Sequence, residues 1–98
     1  LPSPTLSGQE IDKALEEIPG WRRSSSFTSN SIFRVYEFPD FAKAMIFVNK
    51  VAEAAEAANH HPDIDIRYNK VTMALTSHDA GGVTGRDVKM AKKINEIG

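Results

Sequence analysis

All three histidines of this 98-residue chain fall between positions 60 and 78. Imidazole is the side chain best suited to exchanging protons near neutral pH, so a group of them can give and take protons within one turnover. His60 and His61 are adjacent and run into Pro62, with Asn59 just before them and Glu56 four residues before His60. His78 stands in the stretch Thr76-Ser77-His78-Asp79, and Asp87 follows nine residues later. The spacing of Glu56 and His60 places both on one helix face. His60 then sits at a helix C-terminus, where the helix dipole favours a cation. A residue before proline avoids the α region, so the ring of His61 is expected to point elsewhere than that of His60. Two imidazoles in different local fields suit one to acid work and the other to base work.

Each of these residues, taken singly, has an ordinary structural explanation. His60 can cap a helix end, His61-Pro62 can be a helix stop, and His78 a solvated strand end. Glu56 can be surface charge, Asp87 can stabilise its own helix from position N3, and Trp21 can be core. Three histidines can also hold zinc with one position open for water. Adjacent histidines are badly placed for one ion, since helical zinc pairs need a turn between them, and the chain is read as binding no metal.

The elements that must position these residues can be read from the periodicity. Ser7-Gly8-Gln9-Glu10 has the form of a capping box, and Ile11, Leu15 and Ile18 continue it as a helical stripe that Pro19-Gly20 ends. Trp21–Ser26 and Ser31–Phe38 read as strands joined by a turn at Thr28-Ser29-Asn30. On the second strand Phe33 and Val35 share one face, and Ile32, Tyr36 and Phe38 the other. Asp40 is a helix N-cap for a long helix over Phe41 to Asn59, apolar around much of its girth and so either central or shared with a neighbour. Ile64, Ile66 and Tyr68 alternate with Asp63, Asp65 and Arg67 as a half-buried strand. Val71, Met73 and Leu75 form the next, after a tight turn at Asn69-Lys70. By that alternation His78 projects away from the apolar side of its strand. Thr84-Gly85-Arg86-Asp87 is a second capping box, opening a last helix with Val88, Ala91, Ile94 and Ile97 on one face. The order α-β-β-α-β-β-α predicts an α+β fold: one four-stranded, largely antiparallel sheet with three helices on one face. The other face is left wet, ligand-bearing or packed on another chain.

Bulk composition narrows the function. The length suits a single domain, residues 1–98, whose thin core would gain from self-association. Twelve basic against thirteen acidic residues give no nucleic-acid footprint. The lack of cysteine excludes disulfides, thiolate metal sites and a Cys nucleophile. No apolar run is long enough for a bilayer, and Leu1-Pro2-Ser3-Pro4-Thr5 has neither the basic nor the apolar part of a signal peptide. A cytoplasmic location is expected, with no membrane partner.

Read in order, Glu56, His60-His61-Pro62, Tyr68, His78 and Asp87 form a spaced pattern that resembles the signature of the pterin-4a-carbinolamine dehydratase family. Gly20-Trp21, Ile32-Phe33-Arg34, Phe38-Pro39-Asp40-Phe41, Tyr68-Asn69-Lys70-Val71, Thr76-Ser77-His78-Asp79 and Gly85-Arg86-Asp87 resemble it as well. The resemblance covers nearly the whole chain and implies loss of water from a 4a-hydroxytetrahydropterin, giving a quinonoid dihydropterin. The pterin is then substrate, and no cofactor is needed. By carry-over, His60, His61 and His78 are the acid/base set, with His61 and His78 transferring protons and His60 nearest the leaving hydroxyl or binding the ring. Glu56 would hold the amino-pyrimidine edge of the pterin or orient a histidine. Asn59, which stands where the family commonly has Asp, would line the pocket with Thr76, Ser77 and Asp79, and Asp87 and Trp21 would complete its wall. Tyr68 is assigned to packing. The resemblance also implies a homodimer or homotetramer. It leaves a second reading open, an oligomerising interaction module or transcriptional dimerisation cofactor with the pterin site secondary.

Overall fold

The computed structural model describes residues 5–26, 29–77 and 80–98. Its elements are α1 (Gly8–Leu15), β1 (Arg22–Ser26), β2 (Ser29–Glu37), α2 (Phe41–Ala58), β3 (Asp63–Arg67), β4 (Lys70–Leu75) and α3 (Gly85–Ile97). The four strands form one open antiparallel sheet in the order β1-β2-β4-β3. The α+β order expected from the sequence is the order found.

Both capping boxes form. The Ser7 amide donates to Glu10 Oε1 at 2.8 Å, and the Glu10 amide donates to Ser7 Oγ at 3.2 Å. Asp40 caps α2 by accepting from the Lys43 amide at 2.8 Å. Register follows the apolar alternation. Tyr36 pairs with Val71, Arg34 with Met73 and Ile32 with Leu75, so Ile32, Tyr36, Val71, Met73 and Leu75 point to the helix-covered face and are buried. Ala44, Phe47, Val48, Val51 and Ala55 of α2 and Met90, Ala91 and Ile94 of α3 close the core over them. Each fully buried Ile, Met or Leu contributes about 1.5–3 kcal/mol.

Several boundaries differ from the sequence reading. α1 ends at Leu15, and Ile18 reaches the core from the turn that follows, its amide bonded to the Leu15 carbonyl. Ser29 and Asn30, expected in a turn, belong to β2 and pair with Ser26 and Ser25; Thr28 lies outside the described residues. The β3–β4 turn is Tyr68-Asn69, one residue earlier than expected, with Tyr68 in the left-handed region at φ 53°. β3 is not half-buried: all five of its residues are exposed, because it is an edge strand. Ile64 and Ile66 sit on the helix side of the sheet, where their only sheet neighbour among the described residues is β4.

α2 and α3 pack together and run antiparallel. The start of α3 meets the end of α2 through Asp87 and His60, while Gly98, past its far end, lies against Phe47. That arrangement brings residues 27 positions apart to one place.

Candidate active site

His60 is fixed by the way α2 stops. Asn59 takes the left-handed conformation at φ 51°, ψ 41°, a region Asn tolerates better than most side chains. The Asn59 amide then donates to the Glu56 carbonyl at 3.2 Å and the His60 amide to the Ala55 carbonyl at 3.1 Å, the paired bonds of a Schellman ending. The reversal breaks the expected Glu56–His60 alignment. Glu56 Oε1 instead meets His61 Nε2 at 3.2 Å, and His60 turns toward α3.

There His60 Nε2 lies 2.6 Å from Asp87 Oδ1. Asp87 is fully buried, and a buried carboxylate needs its acceptor positions filled. Its Oδ2 accepts from Ser77 Oγ at 2.9 Å and from the Thr84 amide at 2.8 Å. The Thr84 hydroxyl bonds Ser77 Oγ at 2.9 Å and accepts from the Arg86 amide at 3.2 Å. Asp87 is thus both the capping-box residue of α3 and the anchor of His60. A carboxylate only accepts, so a proton lies on Nε2, and any exchange with a ligand is left to Nδ1. His60 is 14% exposed, enough for that contact.

Outside His60 lies a groove of about 650 Å³ between α2 and α3. Ala54, Ala57 and Ala58 form its α2 wall, with Asn59 and His60 at one end. Arg86, Lys89, Met90 and Lys93 of α3 form the other wall.

The structure therefore joins His60, Ser77 and Asp87 and places Asn59 at the groove. Ser77 is buried behind Asp87 rather than lining the groove. His61 and Glu56 form a separate, exposed pair. Thr76, just past β4, is partly buried and is not a groove wall. His78 and Asp79 lie outside the described residues. Trp21 does not complete the wall of this groove. Its buried indole donates to Asn95 Oδ1 at 2.9 Å, about 12 Å along α3 from Asp87, in a cluster that also holds Arg34 and Tyr36. The residues that sequence reasoning missed are the α3 cations. Their signal was available as Arg86, Lys89 and Lys93 at spacings of three and four, one side of a helix. Among the described residues no three of His, Cys, Asp and Glu gather to form a metal site.

The family profile for pterin 4 alpha carbinolamine dehydratase matches residues 4–97. The chain belongs to that family. A Koribacter versatilis protein provisionally named pterin-4-alpha-carbinolamine dehydratase is 57% identical over 95 residues, covering 97% of each chain. A Thermomicrobium roseum protein with the same provisional name is 50% identical, covering 94% of this chain and 95% of that one. The crystal structure of a transcriptional coactivator/pterin dehydratase from Brucella melitensis superposes with a TM-score of 0.89 at 36% identity, over 95% of this chain and 97% of the other. A pterin dehydratase-like RuBisCO assembly factor of the alpha-carboxysome gives 0.67 at 19% identity, over 80% of this chain and 88% of its own, a likeness of fold alone.

Proposed function

We propose that this protein dehydrates a 4a-hydroxytetrahydropterin to a quinonoid dihydropterin and water, a carbon–oxygen lyase reaction of tetrahydrobiopterin recycling, using histidines as acid and base. The observation that carries the reading is the His60–Asp87 pair beside a groove, in a chain of this family. The reaction breaks the bond between carbon 4a and its hydroxyl oxygen. The departing hydroxyl takes a proton and leaves as water, and the adjacent ring N–H gives one up. With Nε2–H committed to Asp87, His60 has one nitrogen, Nδ1, for exchange with the ligand; acting as imidazolium it gives the Nδ1 proton to the hydroxyl and is left neutral with its proton on Nε2. His61 or His78 receives the ring proton. General acid–base catalysis of this kind supplies about 10²–10⁴-fold per positioned group, enough for collapse of a hemiaminal. Asn59 lines the groove beside His60, where its side-chain amide can hydrogen-bond the pterin edge.

The test is the dehydration assay on wild type and on His60→Ala, His61→Ala and His78→Ala. His60→Ala loses about 10²-fold or more, and the larger loss among the other two names the base. Wild-type rates in all three would end the proposal.

Self-association as a homodimer or homotetramer belongs to the same proposal. It is supported by the exposed side chains Phe41 and Ile46 on α2 and Val35 on the open sheet face, each about half exposed. These are also the residues on which the interaction-module reading would rest. Recovery of a foreign protein bound through these surfaces, with no dehydration of the pterin, would favour that second reading. No described helix is long and apolar enough to cross a membrane.

A further inference from the structure

The groove beside His60 is cationic on one wall and apolar on the other. Arg86, Lys89 and Lys93 line it from α3, and among the described residues no carboxylate does. A second groove along α3 is lined by Glu10, Glu16 and Glu17, and there Lys92 pairs with Glu17 at 3.2 Å. Lys89 borders both grooves and makes no ion pair among the described residues. Lys93 reaches Glu96 only at 4.0 Å, with both side chains largely exposed, a contact too weak to withhold its ammonium from a ligand. The whole chain carries a formal charge of −1, so this wall is a local concentration of positive charge and not part of a basic protein.

Direction matters as much as sign. Because α3 runs antiparallel to α2, the cationic row begins beside His60 at Arg86 and ends opposite Ala54 at Lys93, about 10 Å along the helix axis. A flat ring whose reacting carbon lies at His60 would send its side chain past the alanines toward the two lysines.

Resting on the reading that a pterin reacts at His60, we propose that Lys89 and Lys93 select a pterin whose side chain ends in an anionic group, a phosphate ester or a carboxylate. The tail sits away from the reacting bond, so its contacts are alike in ground and transition states. The preference is therefore carried by KM and not by kcat.

The experiment compares 4a-hydroxytetrahydropterins that share one side chain and differ only at its end, in a free hydroxyl, a phosphate ester or a carboxylate. Binding of the matching oxidised, unreactive pterins is measured in parallel by their fluorescence. Wild type is expected to favour an anionic tail by about tenfold or more in kcat/KM, and whichever anion is preferred names the tail. Salt at about 0.5 M should cut that ratio sharply. The double variant Lys89→Gln/Lys93→Gln should bring it close to one, and Lys89→Arg/Lys93→Arg should keep it. Equal kcat/KM and equal Kd for neutral and anionic pterins in wild type would overturn the inference, as would a ratio untouched in the Gln variant. If wild type dehydrates none of the compounds, the proposed reaction fails and the binding ratio alone decides this inference. Tighter binding of the anionic pterin sustains it, and equal binding or no binding ends it.

Discussion

His60 and His61 are neighbours in the chain, and each meets one carboxylate, yet the two pairs are physically unlike. His60 lies 2.6 Å from a carboxylate with no exposed surface, itself held by Ser77 and the Thr84 amide. His61 lies 3.2 Å from Glu56, with the side chains 54% and 79% exposed. Water competes for every contact in the second pair and for almost none in the first. One residue of left-handed backbone at Asn59 separates the two outcomes. The comparison teaches that the spacing between a histidine and an acid is a poor guide to their coupling. What counts is whether the acid is buried with its remaining acceptor positions filled.

Stability measurements can break or sharpen this contrast. Asp87→Ala removes the acceptor for two buried donors, the Ser77 hydroxyl and the Thr84 amide, and for the partly buried His60, and is expected to cost about 3–5 kcal/mol. Thermal melting should show this as a fall in Tm of about 15 °C or more for a domain of this size. Glu56→Gln is expected to change stability by no more than about 0.5 kcal/mol. Equal melting temperatures for the two variants would erase the distinction between the pairs. The smallest effect concerns a neutral buried group, Tyr36, whose hydroxyl donates to Asn95 Oδ1. Burial pushes its phenol above its usual 10.0, against the pull of Arg34. The folded chain thus keeps this proton to a higher pH than the unfolded chain does. Stability from this source is complete below about pH 10 and declines as pH rises toward the folded value. Tyr36→Phe should flatten that alkaline decline in urea titrations run on both sides of pH 10, and an unchanged slope would count against it.

Much of the fold was legible because it depends on short-range rules. The alternation of Val71, Met73 and Leu75 and the boxes at Ser7 and Thr84 each report a local choice that the tertiary structure keeps. The exposure of Ile64 and Ile66 was not legible, since alternation marks a face without saying whether anything covers it. The site was legible as a cluster and not as a geometry. His60 and Asp87 are 27 residues apart, and their meeting depends on the antiparallel packing of α2 and α3. The choice of His61 over His60 by Glu56 turns on one backbone conformation. The resemblance puts Trp21 at the pocket wall, whereas its indole bonds Asn95, 74 positions away in the chain. The resemblance puts Ser77 on the pocket wall, whereas its hydroxyl is buried against Asp87.

The central claim is that Asp87 keeps a proton on His60 Nε2, so that Nδ1 is the nitrogen that exchanges one with the ligand. Asp87→Asn tests it most directly, because Asn keeps the size of the side chain while offering a donor where the carboxylate accepts. The measurement is kcat/KM for dehydration of a 4a-hydroxytetrahydropterin by wild type and Asp87→Asn, with circular dichroism to show that both are folded. The predicted result is a folded variant slowed by about 100-fold or more; a folded variant working at the wild-type rate would contradict it.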